Sequence, residues 1–130
     1  MKIKTLILFL ALISFSVVSI AMSQNFAAAA LEFLKGEEPI LEKAVEANDL
    51  KAVSKSNDRM GAFLETWGID LNSGAPSLLN KYPGCSQAMS DFMVRYLCRL
   101  RPPATVCYES LEEEFQEALA SCRASAKANK

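Results

Sequence analysis

Residues 85–122 read CSQAMSDFMVRYLCRLRPPATVCYESLEEEFQEALASC, and the spacing within them decides the fold. Met89, Phe92, Met93, Tyr96, Leu97 and Leu100 recur at helical intervals, so they form one apolar stripe on a helix expected to run from Ser86 to Leu100. Pro102-Pro103 cannot continue that helix, because the first proline pushes Arg101 out of the α region. A last helix follows. Ser110 with Glu113 predicts a capping box at its start, with Thr105 as an earlier alternative. Its inner face carries Leu111, Phe115, Ala118, Leu119 and Cys122. Two amphipathic helices joined by a short connection fold back on one another as an antiparallel hairpin.

The cysteines must satisfy that hairpin. Cys85, Cys98, Cys107 and Cys122 allow three pairings. Joining Cys85 to Cys98 would link residues of one helix about 20 Å apart, whereas a disulfide needs Cα atoms within about 7 Å. Cys98–Cys122 would join the turn end of the hairpin to its open end and fails in the same way. The nested pattern remains: Cys98–Cys107 beside the turn and Cys85–Cys122 at the open end. At about 100° per residue Cys98 lies roughly opposite Met89, so the first hairpin helix must face its partner on one side and the remaining core on another. Cys85 is then expected in a non-helical lead-in. A zinc site is a poor fit, because structural zinc uses short knuckles and the intervals here are 12, 8 and 14 residues.

Disulfides require an oxidising compartment, and the N-terminus fits one. Lys2 and Lys4 precede the apolar run Leu6 to Ile13, and Ala21-Met22-Ser23 offers small residues at the spacing of a cleavage site. Residues 1–23 are therefore expected to be a signal peptide and residues 24–130 a single helical domain, secreted or periplasmic. The competing reading keeps Thr5–Met22 as a membrane anchor; Ser14, Ser16 and Ser19 weaken it. After cleavage no membrane span is expected.

Elsewhere the pattern is helical and no strand period is present. A first helix is expected from Phe26 to Lys35, capped by Asn25 and stopped by Gly36, and a second from near Pro39 with Ile40, Leu41, Ala44 and Val45 on one face. Asn48-Asp49 reads as a break and new N-cap. A third helix should span Leu50 to Trp67 with Val53, Met60, Phe63, Leu64 and Trp67 inward, and Ser56-Asn57-Asp58 as a weak point. Gly68-Ile69 then makes a left-handed stop with an apolar contact. Residues 70–76 are loop, and a short turn over residues 77–81 is ended by Pro83-Gly84. The expected class is all-α, with about four to six helices and a doubly stapled terminal hairpin.

Composition narrows the function. Without Lys2 and Lys4 the chain has 12 basic and 15 acidic residues, a net charge of −3. Nucleic acid and anionic lipid both favour basic partners, so neither is expected. The chain contains no histidine, which removes Ser-His-Asp and Cys-His catalysis and histidine zinc sites. No catalytic, cofactor or metal residue stands out. Glu112-Glu113-Glu114 and Glu117 match a helix dipole better than a metal site, and Arg95 and Arg99 are placed to reach Glu109 or Glu112. An apolar binding surface is expected from Met60, Phe63, Trp67, Met89, Phe92 and Met93, with Tyr82 as a possible neighbour of Phe63 and Trp67. Small stapled helical domains offer little interior for a deep pocket. The leading expectation is a non-enzymatic protein-binding module, such as an inhibitor or immunity-type protein with a protein partner. A carrier of a small apolar ligand, with a cavity lined by Met60, Phe63, Met89, Phe92 and Met93, is the alternative; a carboxylate-dependent enzyme comes third.

Overall fold

A computed structural model describes residues 25–73, 78–101 and 107–128. The expected signal peptide lies outside these residues. The described residues form five helices and no strand: α1 (Phe26–Glu46), α2 (Leu50–Thr66), α3 (Leu78–Lys81), α4 (Pro83–Leu100) and α5 (Leu111–Ala128). α4 packs most extensively on α5, and α1 lies against α2, α4 and α5. The core gathers where these helices meet, around Phe26, Leu41, Met89, Phe92, Tyr96 and Cys122.

The terminal hairpin has the nested staples that its spacing requires. Cys85–Cys122 and Cys98–Cys107 have Cα–Cα separations of 4.5 and 5.6 Å. One expectation fails here. Cys85 lies in the first turn of α4, not in a lead-in, because Pro83 opens the helix instead of closing the turn before it. Proline is well suited to that place, where its missing N–H has no helical acceptor to lose. Gly84 then allows the open end to close. A Cβ there would stand 2.7 Å from Ser121 Cβ and 3.1 Å from the Cys122 nitrogen.

The two expected N-terminal helices are one. α1 passes through Gly36 and contains Pro39. Residues 35, 36 and 38–40 are all exposed, so water can satisfy the Lys35 carbonyl that Pro39 leaves without a donor. The buried positions Leu34, Glu37, Leu41 and Ala44 keep a single helical face in register across the local breakers. Asn25 caps α1 as expected: its Oδ1 accepts from the Ala27 and Ala28 amides at 3.1 and 3.4 Å. Its Nδ2 donates to the Ala126 carbonyl at 2.6 Å, which ties the start of α1 to the end of α5.

Both boundaries of the α1–α2 pair close by the same local chemistry. Asn48 has φ 53° and Gly68 has φ 70°. The Asn48 and Asp49 amides donate back to Val45 and Ala44, and the Gly68 and Ile69 amides to Glu65 and Leu64. These are paired Schellman closures. Asp49 then accepts from the Ala52 amide at 3.0 Å to start α2. Ser56-Asn57-Asp58 does not interrupt α2, because the buried Ser56 hydroxyl donates at 2.7 Å to Glu37 of α1 instead of competing for backbone.

Two side-chain expectations change. Arg95 does reach Glu112, through two bonds of 2.6 and 3.2 Å, but Arg99 turns to Glu42 of α1 at 2.6 and 2.9 Å. Tyr96 donates to the same Glu42 at 2.9 Å. At the start of α5 the Ser110 hydroxyl donates at 2.7 Å to the Glu114 carboxylate, where a capping box would have it accept from the Glu113 amide, and Tyr108 donates to Glu114 as well.

Candidate functional site

The residues expected to form one apolar surface separate into two populations. Met60, Met89, Phe92 and Met93 are buried in the core, the most exposed of them at 8 %. They cannot present a face to a partner. Phe63 on α2 and Trp67 at its C-cap stay half-buried, one turn apart, and therefore share a face.

That face continues onto α1. The Phe33 and Phe63 rings stack with centroids 4.9 Å apart and planes at 22°. Phe26 lies beneath, 5.5 Å from Trp67 in an edge-on contact, 6.1 Å from Phe63 and 5.7 Å from Tyr82. Phe26 and Tyr82 are buried, whereas Phe33, Phe63 and Trp67 each keep part of a ring in solvent. The result is a layered aromatic face: two rings fixed in the core support three that reach outward. Offset and edge-on ring pairs add about 0.5–1.5 kcal/mol each beyond their burial, so the outer rings are held in place. Phe33 is the member that the sequence reading left out. Its signal is its place two turns beyond Phe26, already inside the first helix expected from Phe26 to Lys35, but which side of that helix meets α2 is decided only by packing.

Just below this face, Glu37 clasps α1 to α2. It is 5 % exposed; its Oε1 accepts from Arg59 Nε at 2.7 Å, and its Oε2 from Arg59 Nη2 at 2.6 Å and Ser56 at 2.7 Å. Arg59 donation holds the Glu37 carboxyl below its usual range, against the opposing effect of burial, with Ser56 adding to the lowering.

A groove of about 360 Å³ lies between α1 and the α4–α5 hairpin. Its floor is Leu31, Leu34, Phe92, Phe115 and Leu119, and Lys35, Arg95 and Arg123 stand on its walls beside Glu32 and Glu38. The Arg95 guanidinium sits 4.1 Å from the Phe115 ring centroid while Glu112 holds it from the other side. Met93 borders a different depression with Leu50, Val53 and Leu97. The five residues expected to line one carrier cavity therefore do not converge: Phe92 lines the first groove and Met93 the second, Phe63 joins the aromatic face, and Met60 and Met89 belong to the core.

Of the acidic run, Glu112 is bound by Arg95 and Gln116, and Glu114 by Ser110 and Tyr108. Among the described residues no group of three or more Asp, Glu or Cys is arranged to hold a metal ion, and no helix is long and apolar enough to cross a membrane. In comparison with known proteins, the chain matches no family model, no curated protein and no solved structure.

Proposed function

We propose that this chain is an exported protein-binding module of the inhibitor or immunity type, which engages its partner through the Phe33–Phe63–Trp67 face. The aromatic face carries this reading. Interface energy concentrates in a few rigid aromatic anchors, with tryptophan among the most enriched, and here three partly exposed rings stand on two buried ones. Preorganised rings lose little conformational freedom when a partner covers them. The doubly stapled hairpin supplies a rigid frame, and its disulfides accord with an oxidising compartment. In this reading residues 1–23 direct export and are removed.

The test has two arms. The mass of the protein exported by a host should correspond to a chain beginning at Gln24; recovery of the whole chain in the membrane fraction refutes the export signal as a cleaved one. A bait of the exported protein should capture a partner from its own envelope or medium, and the doubly substituted Phe63→Ala/Trp67→Ala protein should lose it by at least about tenfold while Leu31→Ala in the groove keeps it. Equal capture by both variants rejects the aromatic face.

The groove favours a second reading, a carrier of a small apolar ligand. Its volume of about 360 Å³ falls in the range of small-molecule sites. Native mass spectrometry of the exported protein would show a bound small molecule, and Leu119→Ala would weaken its retention. Protein that arrives empty and fails to bind apolar fluorescent probes disposes of this reading.

A further inference from the structure

The two disulfides meet solvent differently. Cys85 and Cys122 are 1 % and 0 % exposed, and each belongs to a helix of the tightly packed α4–α5 pair. Cys98 and Cys107 are both half-buried. Cys98 lies in the last turns of α4, while Cys107 lies outside any helix. Disulfide exchange requires a thiolate to reach one sulfur, so access controls its rate. Reaching Cys85–Cys122 requires α4 and α5 to part, an opening close to global unfolding. Cys98 and Cys107 already keep part of their surface in solvent.

Charge acts in the same direction. Arg99 and Arg101 follow Cys98 in the chain, and Arg101 is exposed. Cations beside a sulfur attract an incoming thiolate and stabilise a departing one. The end of α4 also has ties that do not depend on this disulfide: Arg99 is paired with Glu42 of α1, and Arg95 with Glu112 of α5.

We propose that Cys98–Cys107 is a thiol-exchange site, open to external low-molecular-weight thiols in the native state, while Cys85–Cys122 stays closed and preserves the fold. In the first step a thiolate RS⁻ attacks Sγ of one cysteine. The RS–Sγ bond forms as the Sγ–Sγ bond breaks, and the electron pair leaves on the other sulfur as a thiolate. A second RS⁻ attacks the mixed disulfide, releasing RSSR and the second cysteine thiolate. Two thiols are oxidised and one protein disulfide is reduced by two electrons; RSSR drives the reverse.

The probe is reduced glutathione, applied to the folded, oxidised, exported protein, with iodoacetamide as quench and peptide mapping as readout. Cys98 and Cys107 should acquire glutathione or alkyl label at least about a hundredfold faster than Cys85 and Cys122, with the far-UV circular dichroism unchanged. In denaturant the two pairs should react within about tenfold of each other. Parallel labelling of all four in the native state overturns the proposal, as does a native protein that takes no label at concentrations that modify all four in denaturant. The variant Cys98→Ser/Cys107→Ser should be inert to glutathione while folded; native adducts on its Cys85 or Cys122 overturn the proposal too. Should that variant not fold, the rates measured on the unsubstituted protein decide alone.

Discussion

A carboxylate buried in the middle of a helix is costly unless its lone pairs are taken, and Glu37 is 5 % exposed. Three donors from α2 take them. Glu37→Gln should cost about 1–3 kcal/mol near neutral pH, since hydrogen bonds to a charged group are lost while half-exposed Arg59 recovers water. The pH dependence has a definite sign. The folded carboxyl titrates below its ordinary value of 4.5, so its contribution is complete above that value and is lost as pH falls through the folded pKa. Thermal melts should show wild type losing stability faster than Glu37→Gln on acidification below about pH 5, with the two curves converging. A gap that stays constant to about pH 3 would show that the charge of Glu37 contributes nothing. Gly84 is a second decisive position. Gly84→Ala drives a methyl into Ser121 and the Cys122 backbone, and should cost about 1–3 kcal/mol. In a Ser121→Gly background the penalty should shrink, which a double-mutant cycle would measure as coupling.

At the scale of the element, the caps at Asn25, Asp49 and Gly68 were legible, whereas the start of α5 at Ser110 and the continuity of α1 were not. Asn25, Asp49 and Gly68 act through bonds to backbone within two to five residues, so their chemistry is complete in the local sequence. Gly36 and Pro39 are equally local signals, and they mislead. The exposed side of α1 tolerates both, while its buried side is fixed by α2 and the hairpin. It follows that Gly36 is a cost without a return. A Cβ at Gly36 meets nothing within 4 Å, so Gly36→Ala should stabilise by about 0.5–1 kcal/mol. The midpoint of urea denaturation should rise with an unchanged slope; a fall would mean that α1 does not continue through residue 36. Gly84→Ala and Gly36→Ala thus make the same substitution in two helices with opposite sign.

For the molecule as a whole, the nested staples close loops of unequal length, 37 and 9 residues. Loop-closure entropy makes the outer bond worth about 4 kcal/mol and the inner about 2.5 kcal/mol. The prolines between Cys98 and Cys107 reduce the inner value further, by restricting the unfolded chain. Cys85→Ser/Cys122→Ser should therefore lower the melting temperature more than Cys98→Ser/Cys107→Ser, the more so because it places two hydroxyls in a dry interface. The reverse order in scanning calorimetry would show that the inner bond holds structure beyond its own loop. Far-UV circular dichroism of both variants separates loss of stability from loss of fold.

The all-helical class, the α4–α5 hairpin, its disulfide pairing, and the caps at Asn25, Asp49 and Gly68 could be read from the order of residues alone. Each rests on a fixed local length: the helical repeat, the reach of a disulfide, or a hydrogen bond to a near neighbour. The rest depended on how the helices pack. That packing made α1 one helix, turned Arg99 from α5 to α1, and buried Ser56 against Glu37. It also divided an expected apolar surface into core methionines and the aromatic face of Phe33, Phe63 and Trp67. Periodicity tells which side of a helix is apolar, but only the neighbours that pack against that side determine which of its residues remain in solvent.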